Sequence, residues 1–266
     1  MQPADTWQQG DAYERYVGRW SSRVAELFLA RLDAPAGLRW LDVGCGTGAL
    51  TAAIVERCAP SDVAGVEPSA GFRAAAVERL GSRALVLPGD AESIPLPAAS
   101  VDVVVSGLVL NFVPDADAAL AEMTRVAKHG AVIAAYVWDY SDGMEVIGRF
   151  WEASARLDSA IDPLREATRF ELCRPDPLRE LFSRHLDAVE VEALDLRAEF
   201  ADFDDYWSPF LGGQGPAPAY AMALDEEHRS ALRERLRLLL VDRGAPADGP
   251  FTLGARAWMV RGRVTP

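Results

Sequence analysis

Cysteine is scarce in this chain, which has only Cys45, Cys58 and Cys173. Their spacing fits no metal-ligand pattern, and any single disulfide leaves one over, so a reducing compartment is the simplest setting. Histidine is equally scarce: His129, His185 and His228 are all there is, and none lies in the motifs described below. Basic charge is short as well. A formal net charge of -13 works against a nucleic-acid partner, because neutralising phosphates needs a basic surface. No stretch is apolar enough for a membrane span, and Met1 to Gly10 has neither the basic start nor the apolar run of a secretory signal. The expectation is a cytoplasmic protein acting on a small molecule, and nothing in the sequence fixes an oligomeric state. No internal repeat stands out, and compositional bias is limited to the Ala/Gly/Pro stretch from Gly212 to Ala219.

What is present begins with glycine. Asp42, Gly44, Cys45, Gly46 and Gly48 stand between an apolar run, Leu38 to Val43, and a helical pattern, Ala49 to Arg57. The chain must turn sharply there. Glycine allows positive φ without steric cost and lets a ligand approach the backbone, and the amides at a helix N-terminus hold polar ligands. Gly44-x-Gly46-x-x-Ala49 also satisfies the dinucleotide fingerprint. Against that reading, Asp42 would repel a pyrophosphate, and the third glycine falls at Gly48 rather than at the fingerprint's last position. A carboxylate there suits a cationic ligand. Cys45 is expected to pack in the loop as a small residue rather than act as a nucleophile.

Strand and helix then alternate. Asp62–Glu67 reads as a second strand, Ala70–Leu80 as a helix, Ala84–Leu87, Val101–Ser106 and Ala131–Trp138 as further strands, and Asp115–Lys128 as the helix before the last of them. That helix has Asp115 as its N-cap, with His129-Gly130 closing it as a turn. Apolar runs of this length suit parallel strands covered on both faces. Upstream, Trp20, Val24, Leu27, Phe28 and Leu32 make one face of an amphipathic helix. Downstream, 142–186 reads as helical with a stripe of Met144, Ile147, Phe150 and Trp151. Ala188–Leu196 and Phe251–Val260 read as strands. The insertion between them, 199–250, must carry structure of its own. Its second half is an amphipathic helix marked by Leu224, Leu232, Leu236, Leu239 and Leu240. Its first half, Phe203 to Gly213, is aromatic and then glycine-rich, read either as a substrate cover or as packing.

The glycine loop resembles that of class I S-adenosylmethionine-dependent methyltransferases, in particular the small-molecule (type 11/25-like) branch. The resemblance covers about Leu38 to Trp138. It implies an α/β fold: a Rossmann-like, doubly wound, seven-stranded mixed sheet with helical additions over the carboxyl edge. It also implies a single domain over 1–266, with an N-terminal helical lid (1–37), a cofactor core (38–138) and helical substrate-side insertions (142–186 and 199–250). S-adenosyl-L-methionine would be the cofactor. Asp42, Gly44, Cys45 and Gly46 form the loop. Glu67 stands about twenty residues on, where an acid accepts from both ribose hydroxyls, and Pro68 resembles the usual continuation. Asp90 and Ala91 match the segment that meets the adenine. Ser106, acting largely through its backbone, and Leu108 match the segment lining the methionine part. Tyr16 and Arg19, ahead of the amphipathic helix, are placed to contact the methionine carboxylate or the substrate. No Asn-Pro-Pro-aromatic sequence follows the fourth strand, which weighs against methylation of DNA or glutamine.

Methyl transfer from a sulfonium is an in-line displacement in which the protein orients the reactants and excludes water. A base matters only when the acceptor must lose a proton, and Asp139 and Tyr140, just past the fifth strand, are the candidates. Trp138, Tyr140, Trp151, Tyr206, Trp207 and Phe210 either line an acceptor site or pack a core. The activity expected is that of a methyltransferase (EC 2.1.1). The alternatives are a protein that binds S-adenosylmethionine without catalysis and, third, a nicotinamide-dependent oxidoreductase.

Overall fold

In the computed structural model, which describes residues 18–158, 161, 164–213 and 215–265, the apolar runs become strands β1 (Arg39–Val43), β2 (Asp62–Glu67), β3 (Leu85–Pro88), β4 (Val101–Gly107), β5 (Ala127–Trp138), β6 (Asp187–Phe200) and β7 (Phe251–Arg263). Helices between them are α1 (Ser21–Leu32), α2 (Ala49–Arg57), α3 (Ala70–Leu80), α4 (Ala116–Val126), α5 (Glu145–Ala155), α6 (Glu166–Arg169), α7 (Pro175–Ser183), α8 (Phe203–Trp207), α9 (Pro216–Ala223) and α10 (Glu226–Asp242). The strands form one mixed seven-stranded sheet in the order β3-β2-β1-β4-β5-β7-β6. β1 to β5 run parallel, and β7 is antiparallel to β5. This is the α/β architecture expected. From β1 the order steps to β2 and β3 on one side and to β4 and β5 on the other. A sheet that reverses in this way opens a crevice at the carboxyl ends of its central strands, where ligands of such folds bind.

The chain divides into two compact units. The first takes in Ser21–Trp138, Leu172–Leu194 and the residues from Ala257 on. Its centre is the parallel sheet, with Leu41, Val43, Val66, Val103, Val104, Val105, Ile133 and Val137 all buried. Each such side chain contributes roughly 1.5–3 kcal/mol on leaving water. The described part of the second unit takes in Gly18–Trp20, Asp139–Glu171 and Asp195–Arg256.

Two expectations within the first unit need correction. Leu27 is 38% exposed, whereas Val24, Ala25, Phe28, Leu29 and Leu32 of α1 are buried. At about 100° per residue the buried positions sweep to one side of Val24, and Leu27 falls about 60° to the other. His129 and Gly130 do not close a helix by a turn, because α4 already ends at Val126 and both residues lie inside β5. Val101 pairs with Ala127 and Val103 with Val132, so β5 bulges between these rungs. Gly130 supplies the positive φ of 76° that the bulge needs. The bulge is held from the other side: Gly130 N–H donates to the Val264 carbonyl at 3.0 Å and Val264 N–H to Ala131 at 2.9 Å, and His129 Nδ1 lies 3.0 Å from the Thr265 carbonyl oxygen. The cap of α4 is as expected, with Asp115 accepting from Ala118 N–H at 3.0 Å.

The second unit has an aromatic core. Phe150 and Phe210 stack with centroids 4.5 Å apart, Tyr206 meets Phe210 edge-on at 5.4 Å, and Phe200 stacks on Phe251 at 5.2 Å. The Tyr206 hydroxyl donates to the Val146 carbonyl at 2.7 Å, which satisfies the one polar atom of a ring that is 1% exposed. α10 begins at the cap Asp225 and buries Leu232, Leu236, Leu239 and Leu240; Arg243, just after it, bonds Glu152 of α5 at 2.7 Å.

Candidate functional site

β1 delivers Asp42 to the carboxyl end of the central strand, and the chain then turns through Gly44, Gly46 and Gly48 with φ of 73°, 55° and 82°. Each glycine is needed for a different reason. A Cβ on Gly44 would lie 2.6 Å from Cγ1 of Val109, the residue that follows β4 by two. A Cβ on Gly46 would meet nothing within 4 Å, so the loop's middle faces open space. Gly48 caps α2 in the left-handed conformation.

Asp42 is 1% exposed. Its Oδ2 accepts a hydrogen bond from Thr51 Oγ1 at 2.6 Å, and Oδ1 is buried without a hydrogen-bond partner. Burial pushes its carboxyl up to about 7; the Thr51 hydrogen bond opposes the rise and the nearby Glu67 carboxylate adds to it. A buried carboxylate oxygen with no donor is costly, and a cationic or hydrogen-donating ligand removes that cost.

Glu67 ends β2 and is 6% exposed. Its Oε2 accepts from Gly46 N–H at 3.0 Å and its Oε1 from Ser69 N–H at 2.9 Å, so one carboxylate ties the glycine loop to the cap of α3. Burial raises its pKa against those two N–H bonds. Each oxygen has a second lone pair for a ligand hydroxyl. Behind Pro68, Arg73 holds the turn by donating to the Glu67 carbonyl at 2.8 Å and the Pro68 carbonyl at 2.6 Å.

Asp90 follows β3 and shapes its own turn, with Oδ1 accepting from Glu92 N–H at 3.0 Å and its backbone bridging to Ser93. Ala91 beside it is buried. Ser106 spends its hydroxyl on the Val43 carbonyl at 2.9 Å, joining the ends of β4 and β1. Leu108 adopts a φ of 61°, uncommon for a residue with a side chain, and its N–H bonds the Tyr136 carbonyl at 2.8 Å. Asp42, the glycine loop, Glu67, Pro68, Asp90, Ala91, Ser106 and Leu108 thus all belong to the first unit, on the carboxyl-end loops and strand ends of β1 to β4.

Sequence reasoning expected Cys45 to pack in this loop and missed the residues that support it. Cys45 is 6% exposed, and a Cβ on Gly65 would come within 2.8 Å of its Sγ, so Gly65 of β2 makes the space for it. Burial first, then the Asp42 and Glu67 carboxylates, push the Cys45 thiol far above its ordinary range, which is the opposite of what a nucleophile needs. Thr51 and Val109 were the other omissions. No local signal marked Thr51, because its partner Asp42 lies on another element.

The remaining candidates lie elsewhere. Tyr16 falls outside the described residues. Arg19 is in the second unit, where its guanidinium donates to Asp205 at 2.9 and 3.2 Å and to the Glu199 carbonyl at 3.0 Å. Asp139, also in the second unit, is 3% exposed and accepts from Ser141 and Asp142 N–H at 3.1 and 3.3 Å. Tyr140 has its ring 5.9 Å from that of Phe170. Of the aromatics considered for an acceptor site, Trp138, Trp151, Tyr206, Trp207 and Phe210 are all buried. A cleft of about 370 Å³ in the second unit is lined instead by charge, from Asp142, Glu145, Asp195, Arg197 and Arg256. Among the described residues no cluster of metal-ligand side chains occurs, and no helix is long and apolar enough to cross a membrane.

Comparison with known proteins gives the same direction as the geometry. Residues 41–135 match the family described as methyltransferase domain. An uncharacterized methyltransferase of Geobacillus kaustophilus, GK2543, is 31% identical over 187 residues, which are 67% of this chain and 85% of that protein. A malonyl-[acyl-carrier protein] O-methyltransferase of Pectobacterium atrosepticum is 32% identical over 152 residues, 53% of this chain and 58% of that protein. Among solved structures, a phosphoethanolamine N-methyltransferase of Haemonchus contortus, in complex with phosphomonomethylethanolamine and S-adenosylhomocysteine, has the same fold with a TM-score of 0.57 at 17% identity. The match covers 96% of this chain and 56% of that one.

Proposed function

We propose, on the premise that this chain belongs to the class I S-adenosylmethionine-dependent methyltransferases, that it transfers the methyl group of S-adenosylmethionine to a small-molecule acceptor. The observation that carries the site assignment is the buried, unpartnered Oδ1 of Asp42 beside a loop whose Gly46 faces open space. Glu67 binds the ribose hydroxyls with the lone pairs that Gly46 and Ser69 leave free. Asp90 and Ala91 receive the adenine. Gly44, Cys45 and Gly46 offer backbone rather than side chains to the ligand, Pro68 keeps the Glu67 turn rigid, and Ser106 and Leu108 present backbone groups to the methionine part.

When bound, the cofactor supplies a methyl group on a positively charged sulfur, a good leaving group. The protein's part is to hold it in line with the acceptor, to keep water out and to place no competing nucleophile nearby. The suppressed Cys45 thiol fits that last requirement. Asp139 spends one carboxylate oxygen on two backbone N–H groups, which favours a role in shaping the turn after β5 over one as a general base.

For the acceptor, the likeness to a malonyl-[acyl-carrier protein] O-methyltransferase makes carboxylates and hydroxyls the first chemistry to try. The experiment is calorimetric titration with S-adenosylmethionine and S-adenosylhomocysteine, followed by mass spectrometry of a panel of carboxylate, phenol and amine acceptors for a gain of one methyl group. Binding plus one methylated product supports the reading. Tight binding with no product across the panel replaces it with a non-catalytic binding role, and absence of binding overturns it.

A further inference from the structure

Thr51 is 0% exposed and lies in the first turn of α2. A threonine hydroxyl in a helix commonly returns to the carbonyl four residues earlier. This one instead reaches across to β1 and donates to Asp42 Oδ2 at 2.6 Å. Gly65 of β2 gives the loop its room, since a Cβ there would lie 2.8 Å from Cys45 Sγ, and it would only touch Thr51 Oγ1 at 3.6 Å. The arrangement fixes one carboxyl oxygen and leaves the other buried and without a partner.

We propose that Thr51 is a positioning residue for the cofactor: by anchoring Asp42 Oδ2 it leaves the buried Oδ1 as the acceptor for the cationic cofactor, so that cofactor binding is coupled to ionisation of the carboxyl group. This rests on the reading above that Asp42 faces S-adenosylmethionine. The charges around the pair bear on its ionisation. From β2, Glu67 presents a second carboxylate. From the loop, Cys45 presents a thiol that burial keeps neutral. Arg73 of α3 spends its guanidinium on the carbonyls of Glu67 and Pro68, and Ser106 at the end of β4 spends its hydroxyl on Val43. No cation therefore compensates Asp42 among these neighbours, and its carboxyl is held at about 7 chiefly by burial. A cation arriving beside Oδ1 favours the ionised form, so binding and deprotonation are linked.

The sign follows directly. Below pH 7 the cofactor must displace a proton, so its affinity rises with pH, by up to about tenfold per pH unit, and levels off above 7. At pH 7 about half a proton leaves for each cofactor bound. Calorimetric titration of S-adenosylmethionine into the full chain, in buffers of high and low ionisation enthalpy between pH 6 and 7.5, counts those protons. Thr51→Val removes the bond that favours the ionised carboxyl, so the levelling-off point moves up by about 1–2 pH units, and Thr51→Ser restores it. Asp42→Asn releases no proton. If the valine protein does not fold, the wild-type proton count and its loss in Asp42→Asn still decide. Binding with the same enthalpy in every buffer overturns the inference, as does an unchanged pH profile in Thr51→Val. Absence of binding at every pH overturns instead the site assignment on which it rests.

Discussion

Replacing Gly44 by alanine tests the logic of the cofactor loop most directly. The new Cβ would stand 2.6 Å from Cγ1 and 2.8 Å from Cγ2 of Val109, far inside van der Waals contact, on a residue whose φ is 73°. The left-handed conformation costs an alanine about 1–2 kcal/mol, and forcing a methyl group into a filled site costs about 1–3 kcal/mol. Together these give about 2–5 kcal/mol, a fall in Tm on the order of 10 °C for a chain of this size. The two contributions separate by a double-mutant cycle. Val109→Ala alone trims a partly exposed side chain and costs little. In the double variant the clash is gone and only the backbone strain remains, so the coupling should recover about 1–3 kcal/mol. Differential scanning calorimetry of the four proteins gives the stabilities, and calorimetric titration with S-adenosylmethionine gives the affinities, which should fall with Gly44→Ala and partly return in the double variant. A neutral Gly44→Ala, or a double variant no better than Gly44→Ala, would refute the claim that Val109 sets the height of the loop.

Further outcomes follow from single groups. Glu67→Gln puts an amide NH2 against one of the two backbone N–H groups the carboxylate now accepts, and S-adenosylmethionine affinity should drop about 10- to 100-fold; an unchanged Kd would show that Glu67 does not hold the ribose. Glu166, 2% exposed and bonded by Trp151 Nε1, has its carboxyl pushed up to about 7 from 4.5 by burial. Between those pH values the unfolded chain ionises there while the folded one keeps its proton, so stability is full below 4.5 and is lost as pH rises to 7, by about 3 kcal/mol in all. Glu166→Gln should lack that loss, which urea denaturation of both proteins at pH 5 and pH 8 will show; equal pH slopes would rule the mechanism out. Asp139→Asn keeps the acceptor for Ser141 and Asp142 and should leave turnover and its pH profile unchanged, whereas Asp139→Ala should cost about 1–3 kcal/mol of stability. Loss of turnover in the asparagine variant alone would make Asp139 a base.

The parallel core was readable because its signals are local. Apolar runs such as Val101 to Val105, the Asp115 cap and the glycines at 44, 46 and 48 each state their own conformation. The errors arose where two elements compete for the same residues. The helical pattern reads to Lys128 with His129-Gly130 as its turn, but Ala127 pairs with Val101 of β4 and Gly130 bonds Val264, which draws Lys128 to Gly130 into β5 as its bulge. Leu27 reads as apolar stripe by type, although its angle around the helix carries it to solvent. Within the site, the residues proposed to face the cofactor were picked out by spacing and resemblance, and those that hold them were not. Nothing in a sequence says that Gly65 is small for the sake of Cys45, or that Thr51 belongs to Asp42, since both pairings cross between elements. The aromatics around Tyr206 illustrate the same limit: composition cannot tell a pocket wall from a core, and the hydrogen bond from Tyr206 to Val146 decides for the core.

The sheet order also has a bearing on how the chain is made. β7 lies between β5 and β6 in space but leaves the ribosome after both. Strands β1 to β5 meet parallel neighbours among themselves during synthesis, while β6 has no place in the sheet until the helices after it and then β7 have emerged. For that interval it is an unpaired strand, the kind of surface that seeds aggregation. Its outward positions are guarded accordingly: Glu190 and Asp195 are exposed in the finished sheet and find their partners, Arg261 and Arg256, only on β7 itself. The acids that repel other chains during the wait become the rungs that fasten β6 once its neighbour arrives.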